Sequence, residues 1–227
     1  MQKIIHSGTR PFFAANDITC YILRGTDGDL LIDTGLPQTY PAMKRWLRAF
    51  DIRYVLLTHA HADHDWNAAR LKTAGANILL GRRDYSLRRH FLLQPQLATS
   101  PRYILRTAFQ CLGGAFIKSP RYQPDILLDD RSDILKALGF DAEVIALPGH
   151  TLGSVGVLQG NVLYCGDTFT ALWGKPMIPP NVHSRALLKD SLRRILHIHP
   201  KWLACGHGLP VKMSDARKVI ANYLKNA

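Results

Sequence analysis

The most apolar runs in this chain end on its most reactive side chains. Tyr54 to Leu57 leads directly into Thr58-His59-Ala60-His61-Ala62-Asp63-His64-Asp65. Three later runs end in the same way beside glycine: Leu147-Pro148-Gly149-His150-Thr151, Cys165-Gly166-Asp167-Thr168 and Cys205-Gly206-His207-Gly208. A short apolar run bounded by turn residues reads as a buried strand, and glycine permits a sharp turn at its end. Imidazoles and carboxylates in such places cannot be buried and idle, because each needs a polar partner. His59 and His61, two residues apart on a turning chain, can aim at one ion, with Asp63 and His64 directed to a neighbouring position. Imidazole nitrogen with carboxylate oxygen suits zinc, and also iron or manganese.

The rest of the pattern says what carries these strand ends. Ile18 to Leu23 and Asp29 to Ile32 flank Gly25-Thr26-Asp27-Gly28, a hairpin signature. Helical spacing follows over Tyr40 to Phe50, a second helix is expected over Asp63 to Ala74, and Ile78 to Leu80 returns to strand. Ile126 to Leu128, Ala142 to Leu147, Ser154 to Leu158, Val162 to Cys165 and Trp202 to Cys205 also read as strands. The stripe Leu187, Leu188, Leu192, Ile195, Leu196 and the stretch Ser214 to Leu224 read as helices. Several neighbouring strands are joined by tight turns, so a mixed sheet with helices on its faces is expected, not a purely parallel one. With no linker or repeat in 227 residues, one domain spanning 1–227 is expected. The apolar, basic stretch from Tyr85 to Pro124 breaks the rhythm. It is read as a helical insertion, either a lid or pocket wall beside the site or extra packing.

At this point the sequence resembles a known family. Thr58 to His64 is similar to the T-H-x-H-x-D-H signature of the metallo-β-lactamase superfamily, and the later Gly-His, Gly-Asp and Gly-His elements come in that family's order. The Asp33-Thr34-Gly35 turn resembles its first motif. The likeness runs from about Ile18 to Gly208. It implies an α/β fold of αββα type, two mixed sheets facing each other with helices outside. It also implies two divalent metal ions, zinc first with iron or manganese as alternatives. One is assigned to His59, His61 and His150, the other to Asp63, His64 and His207, with Asp167 bridging and Asp33 orienting a ligand from behind. The implied activity is hydrolysis by a hydroxide shared between the metals, with Asp63 holding it or moving its proton.

Other features narrow the class. The bridging Asp167 resembles the glyoxalase-II-like thioesterases, lactonases and phosphodiesterases, not the true β-lactamases. Trp66-Asn67 stands where glyoxalase II has glycines, and only about twenty residues follow His207, against a glutathione-binding extension. A small ester, thioester or lactone with an apolar portion and an anionic group is the expected substrate. A phosphodiesterase or nuclease on the same site, or an iron-dependent redox enzyme of the same fold, is the alternative. The net charge of +12 suits an anionic partner, but the cluster Arg82-Arg83, Arg88-Arg89-His90 has no stacking aromatics beyond Tyr85, so nucleic acid is not favoured. Lys175 and Arg185 are candidates to meet an anionic group. His6, His90 and His183 are read as incidental, and His197 and His199 as a helix end. Met1 to Gly8 lacks a secretory pattern, no stretch reaches the ~20 apolar residues of a membrane helix, and the scattered Cys20, Cys111, Cys165 and Cys205 fit buried free thiols. A cytoplasmic protein is therefore expected.

Overall fold

Alternation of side chains along each strand builds this protein in layers. The computed structural model describes residues 4–7, 18–88, 95–114, 119–129 and 131–226. In order, its first half holds β1 (Ile4–Ser7), β2 (Ile18–Arg24), β3 (Asp29–Ile32), α1 (Tyr40–Leu47), β4 (Ile52–Leu57), α2 (Ala62–Asp65), α3 (Ala68–Thr73), β5 (Asn77–Gly81), α4 (Arg82–Arg88), β6 (Leu97–Ala98), α5 (Ile104–Gly114) and β7 (Ile126–Leu128). The second half holds β8 (Arg131–Ser132), α6 (Ile134–Ala137), β9 (Glu143–Ala146), β10 (Val155–Gln159), β11 (Val162–Gly166), β12 (Asn181–Val182), α7 (Arg185–Ile198), β13 (Trp202–Cys205), β14 (Val211–Lys212) and α8 (Met213–Asn226).

Two six-stranded sheets form, in the orders β1-β2-β3-β4-β5-β7 and β14-β13-β11-β10-β9-β8. Both are mixed: β3, β4, β5 and β7 run parallel, as do β11 and β13, and the remaining pairs are antiparallel. Because successive strand residues point to opposite faces, Leu56 of β4 and Leu79 of β5 meet Val144, Val157, Tyr164 and Ala204 of the second sheet. Val55, Leu57, Ile78 and Leu80 point the other way, onto Met43 of α1 and Ala68 and Leu71 of α3. The outer face of the second sheet, Leu163, Cys165, Leu203 and Cys205, is covered by Leu188, Leu192 and Ile195 of α7 and Ala216 and Ile220 of α8. This is the αββα sandwich. Cys20, Cys165 and Cys205 are free and buried in it.

Two expectations need correction. The helix expected over Asp63 to Ala74 is split into α2 and α3. Asn67 breaks it, since its amide donates to the carbonyls of Thr34, Gly35 and Leu36 and so clamps the loop after β3. The insertion is not only helical either. Its β6 pairs antiparallel with β12, in the loop before α7, and Arg185 donates through Nε to the Ala98 carbonyl. That guanidinium is therefore spent on a structural tie. Arg89 and His90 lie outside the described residues. Helix α7 runs through His197, and His199 ends it in the left-handed conformation, φ 53°; those two histidines are a helix end, as read from the sequence.

Candidate metal centre

All four ligand-bearing strand ends open on the same edge of the sandwich. β4 delivers His59, His61, Asp63 and His64; the turn after β9 delivers His150; the ends of β11 and β13 deliver Asp167 and His207. Close approach depends on Gly206. A methyl group there would lie 2.5 Å from Asp167 Oδ1 and 2.7 Å from His64 Cε1. The neighbouring Gly166 has φ +51° with Thr58 Oγ1 2.5 Å from the position of a Cβ, so both the backbone and the space exclude a side chain.

The outer ring nitrogens of His59, His64 and His150 are held from behind, while His207 Nδ1 is buried without a partner. His64 Nδ1 lies 2.9 Å from Asp33 Oδ2, His150 Nδ1 3.0 Å from the Asn181 carbonyl and His59 Nδ1 3.1 Å from Thr58 Oγ1. Thr58 in turn gives both its N–H and its hydroxyl to Asp33. Asp33 thus lies behind His64, with φ 59°. Committing the Nδ1 protons outward leaves lone pairs on Nε2 facing inward.

Those inward atoms converge in two groups. His59 Nε2 and His150 Nε2 lie 3.1 and 3.0 Å from His61 Nδ1. At most one proton can lie among these three nitrogens, so they are complementary to a cation. In the second group His207 Nε2 is 3.4 Å from both His64 Nε2 and Asp63 Oδ2. Asp167 stands between the groups. Its Oδ2 is 3.7 Å from His150 Nε2 and 3.2 Å from His207 Nε2, and its Oδ1 is 3.8 Å from His64 Nε2. Asp167 Oδ1 is also buried without a hydrogen-bond partner, as a carboxylate oxygen reserved for a metal would be. The triads His59/His61/His150, His59/His64/Asp167 and Asp63/His64/His207 each keep their donor atoms within 4.8 Å of one another. All seven predicted ligands come together, and the donor set fits divalent metal.

Electrostatics separate the groups. Burial, reinforced by neighbouring imidazoles, holds His59 well below the usual histidine range and pushes His61 down to about 3; burial also lowers His150. The first group is therefore neutral, as ligands must be. In the second, burial opposes the charge, but Asp33, Asp63 and Asp167 raise His64 to about 9, and Asp167 with Asp63 raises His207. Burial likewise pushes Asp63 and Asp167 upward, and the facing imidazoles outweigh it, holding both below the usual carboxylate range.

Sequence reasoning missed Asp84. Fully buried in the first turn of α4, it accepts from Ala60 N–H at 2.9 Å, Thr151 Oγ1 at 2.8 Å and Gly153 N–H at 2.7 Å. One carboxylate thereby ties the His59–His61 loop to the His150 loop. Its only signal was an acid next to a strand end, Gly81, at the start of an otherwise basic helix. His183, read as incidental, gives its N–H to the His150 carbonyl at 3.0 Å, while its Nδ1 is buried without a partner. Lys175 is exposed.

The metallo-beta-lactamase superfamily profile matches residues 15–207, the span that contains every residue of this site. The chain belongs to that superfamily. An uncharacterized protein of Mycobacterium tuberculosis is 32% identical over 217 residues, which cover 88% of this chain and 89% of that one. Hydroxyacylglutathione hydrolase of Edwardsiella ictaluri is 37% identical, but over only 75 residues, 33% of this chain and 28% of the hydrolase. Among solved structures, TTHA1623 in a di-iron-bound form shares the fold with a TM-score of 0.65 and 23% identity, covering 89% of this chain and 93% of that one. For this superfamily member the His/Asp cluster supports a metal-using hydrolase.

Proposed function

We propose that this protein is a dinuclear metallo-hydrolase of small esters, thioesters or lactones. The observation that carries the proposal is the position of Asp167, whose two oxygens face imidazoles of both donor groups. On this reading His59, His61 and His150 would hold one ion and Asp63, His64 and His207 the other, with Asp167 placed to serve either. Zinc leads as the metal; iron is supported by the di-iron neighbour, and manganese suits the same donors. Divalent metal bound there would supply activated water and Lewis acidity for the bond to be cleaved.

The chain's own residues complete the task. Asp63 has a side chain 35% exposed, against 9% for Asp167 and none for His64, so it is the acidic ligand that meets incoming water. Held ionised by His64 and His207, it suits ligation and accepting a hydrogen bond from that water. Asp33 and Thr58 fix the ring orientations behind it. The described part of the insertion would wall the site within a single domain. Gln96 links it to the His150 carbonyl and to Asn181, and Tyr122 donates to Asp65 beside His64. Among the described residues no helix is long and apolar enough to cross a membrane, and we place the enzyme in the cytoplasm acting on a small molecule with an apolar part and an anionic group.

The partial match to hydroxyacylglutathione hydrolase supports a thioester; the net charge of +12 supports the alternative, a phosphodiester. Metal-loaded protein assayed against a thioester, a lactone panel and a chromogenic phosphodiester separates them. Turnover confined to the phosphodiester would overturn the ester reading.

A further inference from the structure

Helix α5 points its apolar side outward. Ile104, Leu105, Phe109 and Leu112 are 57%, 86%, 56% and 69% exposed, and with the exposed Ala108 they fall within an arc of about 140° on a helical wheel. Among the residues of α5 whose burial is described, the buried one is Thr107, whose hydroxyl has no hydrogen-bond partner. An ordinary surface helix does the reverse. Trp173, 53% exposed, adjoins the helix, its ring centre 5.2 Å from the Arg106 guanidinium. An exposed apolar helix face of this kind marks an interaction site.

Charge decides what covers it. Residues 85–124 contain six Lys and Arg and no Asp or Glu. Lys175, beside Trp173, adds to the same sign. An apolar helix face in a basic segment without acids, with Arg102 exposed just before the helix and Arg106 within it, matches an anionic lipid surface, where apolar side chains enter the acyl boundary and cations meet phosphates. A second copy of the chain would bring two such basic faces together, and like charges disfavour that contact. We propose that α5 with Trp173 is a peripheral docking face for anionic membrane, independent of which bond the enzyme cleaves. β6, which leads into α5, pairs with β12 beside His150, so docking would set the rim of the site against the bilayer.

The test is co-sedimentation of the full chain with vesicles of phosphatidylcholine, with and without phosphatidylglycerol. The proposal expects binding to the anionic vesicles only, weakened by salt, and reduced at least about tenfold in a Leu105→Glu/Leu112→Glu variant. These positions are exposed, and an unchanged thermal melt checks the fold. A tryptophan emission blue shift on anionic vesicles, absent in Trp173→Phe, reports the same contact without altering α5. No vesicle binding overturns the proposal. So does equal binding by wild type and the glutamate variant, which would be the work of net charge alone, or self-association that the glutamates abolish, which would make a second copy the occupant.

Discussion

Truncation of Asp84 shows how far the metal centre depends on a residue that touches no donor atom. Asp84→Ala leaves the N–H groups of Ala60 and Gly153 and the Thr151 hydroxyl without their acceptor. Each buried, unsatisfied donor costs about 1–3 kcal/mol. Burial raises the Asp84 carboxyl to about 6 against the pull of those three bonds, so at neutral pH the variant also escapes a buried charge, which offsets part of the loss. A net cost of about 3–5 kcal/mol follows. Asp84→Asn keeps the shape and one acceptor oxygen, and should cost about 2 kcal/mol. Ala60 lies between His59 and His61, and Thr151 follows His150. The loosened tie should therefore weaken the first metal about 10–100-fold. Urea unfolding of chelator-treated protein gives the first number, and titration with zinc the second. A variant within about 0.5 kcal/mol of wild type would refute the reasoning. Lost stability with unchanged affinity for the first ion would refute its second half, since the tie would then end short of the ligands.

Three further outcomes follow from the same geometry. Gly206→Ala should cut metal content severalfold with a smaller effect on folding, because its methyl group would press on Asp167 and His64; full metal occupancy by elemental analysis would contradict this. In metal-free protein His64 binds its proton up to about 9, against an ordinary 6.5. Its stabilisation, about 3 kcal/mol, is complete below 6.5 and is lost as pH rises through 9. Thermal melts of chelator-treated protein should therefore fall over that window, and a flat profile would count against the Asp33–His64 pairing. Asp63→Asn should lower kcat at least about 100-fold in metal-replete protein, and unchanged turnover with both ions bound would remove Asp63 from the reaction.

Much of this site was legible because ligands at strand ends are conspicuous: a histidine after a buried run has no packing reason to be there. The strands were legible for a related cause. Alternation is weak in β4 and β5, since both faces are covered, yet a run such as Ile78-Leu79-Leu80 between turn signals can be little else. Asp84 was not legible, because its three partners lie 24 to 69 residues away and leave no local pattern. The break at Asn67 depends on an amide reaching back some thirty residues. Two-residue strands such as β6 and β12 carry too little periodicity to register. For α5 the spacing of leucines predicts an apolar face, and nothing in that spacing says whether the face turns inward or outward.

On the proposed function, seven side chains hold two ions with Asp167 between them. Anomalous scattering from a metal-loaded crystal, recorded at the absorption edge of the bound element, tests it directly. Two peaks are expected: one about 2.0–2.2 Å from donor atoms of His59, His61 and His150, the other at that distance from Asp63, His64 and His207, with Asp167 oxygens reaching both. A single peak in fully loaded protein, or two peaks with Asp167 bound to neither, would contradict it.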